Sequence, residues 1–170
     1  MIPHLQRRRI VLACAGAPVA PIGAALARTT EPAIGDQVAW PAVELLDGTP
    51  WAAPAPGQDA TVAVFFTLTC PFCARHNVHL QSLHSRTRSM PLRILGVAQD
   101  CTAEQARRYL QRQGLTFPVT RDHERLHAAL SVRRGVPLSC VVDRQQRLRE
   151  VIRGEMFEDD VMQLARWAQG

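Results

Sequence analysis

An α/β fold, with a mixed central sheet and helices on both faces, is what this sequence predicts, and three observations carry that expectation. Two apolar, β-prone runs, Thr61 to Leu68 and Leu92 to Ala98, lack the polar alternation of a half-exposed strand, so both should be covered on two sides. Stretches with apolar residues at three-to-four spacing follow each run, as amphipathic helices require. The chain then closes with two short strands and a last helix, giving the order ββ–βαβ–α–α–ββ–α. Its 170 residues suit one domain of ordinary size.

Taken in order, Ile34 to Trp51 holds two short apolar stretches around Asp47-Gly48, a hairpin signal, so an N-terminal β-hairpin is expected. The Ala- and Pro-rich stretch Ala52 to Gly57 is a loop ahead of the first buried strand. Pro71 to about Ser89 reads as a helix whose inner stripe is Cys73, His76, Leu80 and Leu83. Thr102 with Gln105 forms a capping box for a helix that Gly114 ends. Asp122 should cap a short helix to Leu130, with His123 and His127 on a solvated face. Leu138 to Val142 and Leu148 to Ile152 are strands around a polar turn at Asp143 to Arg147, and Glu158 to Ala168 is a closing amphipathic helix.

Composition narrows the chemistry. All 20 basic residues are arginine, against 15 acidic ones. The absence of lysine excludes Schiff-base catalysis on this chain and P-loop phosphate binding, both of which need an ammonium group. Five cysteines, at 14, 70, 73, 101 and 140, are too few for a disulfide-stapled scaffold. No basic–aromatic interleaving suggests nucleic acid as a partner, and Trp40 and Trp51 suit hairpin packing instead.

Residues 1–27 carry Arg7, Arg8 and Arg9, then an uncharged run from Ile10 ending in Ala25-Leu26-Ala27. A basic start, an apolar run and an A-x-A site together read as a cleaved export signal, with an uncleaved membrane anchor as the alternative. Arg7-Arg8 resembles a twin-arginine signal except that Gln6 stands where Ser or Thr is usual, so the export route stays open. Cys14 lies too close to Arg9 for lipidation and reads as part of the apolar run. Residues 28–33 are then a short linker to a domain over 34–170. Loss of residues 1–27 would leave 17 basic against 15 acidic residues, so most of the basic excess is attributed to targeting.

The chemistry points to Cys70-Pro71-Phe72-Cys73, directly after a buried strand and opening a helix. Unpaired backbone N–H groups and the helix dipole at that position stabilise a thiolate. Pro71 at the first helical position forfeits no hydrogen bond. Cys73, one turn in, can reach Cys70 and is shielded, which makes Cys70 the attacking thiol and Cys73 the resolving one. A structural zinc half-site would need His123 and His127 as its second pair, at the wrong spacing. Farther along, Val136-Pro137 precedes a strand. It is a candidate for a cis peptide whose loop faces the thiols and leaves the Val136 backbone free to pair with an extended substrate.

Strand–CPFC–helix, then Gly135-Val136-Pro137 and a final strand pair and helix, resembles the thioredoxin fold. The export signal, the Asp47-Gly48 hairpin, the helix around Gln105 to Gln113 and the segment Phe117-Pro118-Val119 before Asp122 resemble the TlpA/ResA group of periplasmic thiol–disulfide oxidoreductases. The resemblance spans about residues 34–170. It implies a thioredoxin-like fold with a redox disulfide between Cys70 and Cys73, the cis-proline at Pro137, and substrate contacts from Pro71, Phe72, Val136 and Pro137. It implies no cofactor or metal; the partners are protein thiols and disulfides in the periplasm, of the cytochrome c or metal-centre maturation type, with a membrane electron donor as a further one. The sequence departs from the group in having Thr69 before the first cysteine, Ala74 for the common lysine, and His76 where ResA-like members carry glutamate. Reduction potential and direction therefore stay open.

Two readings of His76 stand side by side: a catalytic proton relay one turn beyond Cys73, or a hydrogen-bonded histidine that packs. Cys140 is expected in the core, and Cys101 as a loop thiol or an additional exchangeable one. A 101–140 bridge would have to cross the strand of Cys70, which is too far. The expected function is an exported reductase of disulfides in periplasmic protein partners, and three alternatives remain beside it. One is a thiol metallochaperone holding copper at Cys70 and Cys73, with or without His76. Another is a DsbA-like oxidase or isomerase, which normally carries a larger helical insertion. Peroxidase chemistry is the weakest, since its Pro-x-x-x-Thr-x-x-Cys pattern meets Thr67 but has Ala63 for the proline.

Overall fold

The computed structural model describes residues 32–131 and 133–169, so the expected export segment lies outside the described residues. Strands β1 (Ala60–Thr67) and β2 (Leu92–Gln99) are buried along almost their whole length, as their apolar runs require, with the half-buried Arg93 of β2 paired to Asp59. Helix α1 (Pro71–Arg86) joins them, and they pair in parallel from Ala60↔Leu92 to Thr67↔Gln99. After α2 (Ala103–Gln113) comes β3 (Val119–Thr120), then α3 (His123–Leu130), β4 (Leu138–Val142), β5 (Leu148–Arg153) and α4 (Glu158–Gln163). The chain continues as a 3-10 turn over Leu164–Ala168, where one continuous helix was expected. The sheet order is β3-β2-β1-β4-β5, with β4 antiparallel to both β1 and β5, so the sheet is mixed.

Alternation along β1 sends Val62, Val64 and Phe66 to one face and Ala63 and Phe65 to the other. The first face packs on Cys73, Leu80 and Leu83 of α1, Tyr109 of α2, and Val161 and Leu164 near the C-terminus. The second face packs on Leu126 and Leu130 of α3 and on Val38, Val43 and Trp51 from the segment before β1. Gly96, mid-β2, is where the first face is tightest. A Cβ there would lie 2.8 Å from Val119 and 2.9 Å from Phe117, so no side chain fits without displacing β3.

The capping box of α2 is present, with Gly114 at φ 65° ending the helix. Three local expectations change. The Asp47-Gly48 reversal exists, with Gly48 at φ 86°, but its arms meet only through the isolated bridge Glu44↔Pro50, and Leu45 pairs instead with Thr120 of β3. The N-terminal hairpin is thus a loop fastened to the sheet edge rather than two strands. Asp122 stands at the start of α3 but gives no side-chain cap, because its Oδ2 accepts the amide N–H of Glu44 at 3.0 Å. His127 is buried rather than solvated: its ring stacks on Phe65 at 4.0 Å, Nδ1 donates to the Ser131 carbonyl at 2.8 Å, and Nε2 accepts from Gln99 at 3.2 Å. Among the described residues, no helix is long and apolar enough to cross a membrane.

Candidate functional site

Strand pairing gathers the sequence-predicted residues at one end of the sheet. Phe65 is opposite Leu138 and Thr67 is opposite Gln99, so the turn after β1, the start of β4 and the end of β2 lie at the same edge. That edge carries Cys70, Pro137 and Cys101.

Cys70 is the N-cap of α1, in an extended conformation (φ −81°, ψ 114°), and its Sγ accepts the N–H of Cys73 at 3.2 Å. Pro71 occupies the first turn, and no acidic residue lies there to oppose negative charge on the sulfur. Cys70 is half-buried and Cys73 fully buried. Burial, followed by the hydrogen bond to Cys70, pushes the Cys73 thiol up to about 12. The pair thus offers one accessible sulfur facing backbone N–H groups and one withheld behind it. Beside them, Phe72 is 55% exposed. The Arg75 guanidinium lies 5.0 Å from the centre of its ring and is held there by two hydrogen bonds to Glu155, at 2.7 and 2.6 Å.

The Val136–Pro137 peptide bond is cis. Val136 is half-buried, Pro137 is buried, and the Pro137 carbonyl accepts the N–H of Gly154 at 2.8 Å, tying the loop before β4 to the end of β5.

His76 falls on the inner stripe, as its spacing predicts, and both of its ring nitrogens are hydrogen-bonded. Nδ1 accepts the amide N–H of Met156 at 3.3 Å, which fixes the proton of the neutral ring on Nε2, and Nε2 donates to Ser139 Oγ at 3.0 Å. Burial, helped by the neighbouring His79, holds its pKa down to about 4. At neutral pH it carries no charge to lend a thiolate, and it fastens α1 to β4 and to the loop after β5.

Two polar residues at this site escape a reading by motif. Asn77, one turn beyond Cys73, is buried; its Nδ2 donates to the Tyr109 hydroxyl at 3.3 Å while its Oδ1 has no partner. Tyr109 is held neutral, its pKa raised first by burial and further by the two thiols. The helical spacing Cys73–Asn77 is the one signal in the sequence that could have marked this pair.

Cys140 lies in the core with its thiol pushed up to about 12 by burial alone. Cys101 is half-buried, and its thiol is raised by burial. It lines a cleft of about 450 Å³ with Thr67, Leu68 and Thr69, on the flank of Cys70 away from Pro137. With β1 between β2 and β4, Cys101 and Cys140 stand on opposite sides of the strand leading to Cys70. Among the described residues, no three His, Cys, Asp or Glu side chains gather as a metal site.

The AhpC/TSA family model matches residues 34–151. No curated protein matches the sequence. Among solved structures, a thiol:disulfide interchange protein of the thioredoxin family from Chlorobium tepidum TLS is 22% identical, with a TM-score of 0.72 over 81% of this chain and 99% of that one. A secreted Mycobacterium tuberculosis disulfide oxidoreductase homologous to E. coli DsbE is 18% identical, with a TM-score of 0.64 over 74% and 93%. StoA from Bacillus subtilis is 20% identical, with a TM-score of 0.62 over 74% and 93%. At these identities the likeness is one of fold. The chain belongs to the AhpC/TSA family, with the fold of thioredoxin-superfamily thiol–disulfide oxidoreductases.

Proposed function

We propose that this protein is an exported thiol–disulfide oxidoreductase that reduces disulfides in periplasmic protein partners, of the kind met in cytochrome c or metal-centre maturation. The observation that carries it is the asymmetry of the pair: Cys70 is accessible and accepts a helix-terminal N–H at 3.2 Å, while Cys73 is sealed directly behind it. The Cys70 thiolate attacks one sulfur of the partner disulfide, forming a mixed disulfide and releasing the other sulfur as a thiolate. Cys73 then gives up its proton and attacks Cys70, closing the 70–73 disulfide and releasing the second partner thiol. Two electrons have passed to the partner, and a thiol donor, which we place at the membrane, must return them.

In this reading Phe72 and the Val136–Pro137 loop receive the partner chain, the half-buried Val136 backbone pairing with an extended segment. His76 is a positioning residue rather than a relay, because both of its ring nitrogens are engaged elsewhere. The same engagement argues against His76 as a copper ligand beside Cys70 and Cys73. Peroxidase chemistry is disfavoured because Ala63 sits inside β1, paired with Leu95 and Cys140, where a proline would break the ladder. The test is the reduction potential of the Cys70–Cys73 couple, measured by equilibration with dithiol or glutathione buffers. A value near about −270 mV supports the reductase, and one near about −120 mV would make the protein an oxidase.

A further inference from the structure

Resting on that reading, we infer that the rim beside the Val136–Pro137 loop selects partners whose reacting cysteine is flanked by acidic residues. A groove of about 330 Å³ runs along this loop, lined by Arg133, Arg134, Gly135, Val136, Pro137 and Leu138 on one side and by Arg153 and Gly154 on the other. Among the described residues, no carboxylate lines it. Its three arginines are exposed residues. Arg134 shares its charge with Glu124 at 2.9 Å, from outside the groove.

The groove's place decides what enters it. Arg153 is the cross-strand partner of Leu138, one residue past Pro137, and the Gly154 N–H to Pro137 carbonyl bond holds the two walls together. A segment laid against Val136 to reach Cys70 therefore passes these guanidinium groups within a few residues of its own cysteine. The cleft on the other flank of Cys70 carries Arg108 and Arg112 beside one carboxylate, Asp100, with Glu104 pairing Arg108 at 3.2 Å. That flank sets two arginines against two carboxylates, so the positive excess lies on the loop side, although the chain without its first 27 residues is nearly balanced. The bias is local to the rim, where guanidinium forks match carboxylates.

The test uses the reduced protein and three short peptides, each with one cysteine activated as a thiopyridyl mixed disulfide and flanked by Glu, Gln or Arg. Attack by Cys70 forms the protein–peptide disulfide and releases pyridine-2-thione, whose absorbance gives the rate. The expected order is Glu over Gln over Arg, with about tenfold between the extremes at low salt, shrinking to within about twofold at 0.5 M salt. Arg153→Glu should cut the rate on the Glu peptide about fivefold and leave the Gln peptide within about twofold. Arg86→Glu, at the far end of α1, should leave the order intact. Equal rates on all three peptides, or a Glu preference untouched by both salt and Arg153→Glu, would overturn the inference. The salt comparison needs no variant, so a misfolded Arg153→Glu does not blunt the test. No release from any peptide would instead overturn the oxidoreductase reading beneath it.

Discussion

Cys73 and Cys140 are two fully buried thiols in one fold, both pushed up to about 12 by burial, and their surroundings differ in one respect. Cys140 sits mid-strand in β4 with apolar neighbours of the second core face around it. Cys73 sits in the first turn of α1, with the half-exposed Cys70 accepting its backbone N–H. In the proposed reaction, burial alone leaves Cys140 inert, whereas burial behind an accessible partner at a helix terminus makes Cys73 the resolving thiol. The separate fates of these sulfurs come from the place of the helix start relative to the sheet.

The largest effect that separates the two regions is on exchange itself. Cys70→Ser should abolish disulfide reduction, a loss of about 10³-fold or more set by the missing nucleophile. Cys140→Ala should leave the rate within about twofold and cost about 1 kcal/mol of stability for the small void. A denaturant melt beside an insulin-type reduction assay measures both. Equal losses of activity would erase the distinction.

Next in size is His76→Ala. It removes a buried ring and leaves Ser139 Oγ and the Met156 N–H without their partner, so about 3 kcal/mol of stability should go. As a positioning residue it should leave the reduction rate per folded molecule, and the pH dependence of Cys70 alkylation, within about threefold of the parent. A shifted alkylation profile would restore the relay.

A pH effect of similar or smaller size follows from the same ring. Its pKa lies at about 4 in the folded chain against 6.5 ordinarily, so between those values the unfolded chain binds more protons. Stability contributed by the neutral ring is present above pH 6.5 and is lost as pH falls towards about 4. His84 and His127 are lowered in the same direction, each chiefly by burial, and add to the slope. The total should be a few kcal/mol, of order 3 from His76. Urea melts at pH 7, 5.5 and 4.5 should show a falling midpoint, and His76→Ala should flatten most of the fall.

What was legible in the sequence was what depends on near neighbours along the chain. The buried strands announced themselves as largely apolar runs, the capping box of α2 as Thr102 and Gln105, and the cysteine pair as a motif at a strand–helix junction. What was not legible depends on partners far away in sequence. Asp122 abandoned its own helix for the amide of Glu44, and the two-residue β3 exists only because β2 and Leu45 lie beside it. The sequence near His127 suggests a solvated face, since nothing there shows that Phe65 and Gln99 cover it. The site divides in the same way. Cys70 and Cys73 were readable from their spacing, whereas Ser139 and Met156, which hold His76, lie 63 and 80 residues away from it.

The most direct test of the central claim is to equilibrate the protein in a glutathione redox buffer, block free thiols, and map the bonds by peptide mass spectrometry. A 70–73 disulfide should form and break with the buffer, while Cys101 and Cys140 stay reduced throughout. A bond from Cys70 to Cys101, or oxidation of Cys140 in step with Cys73, would contradict it.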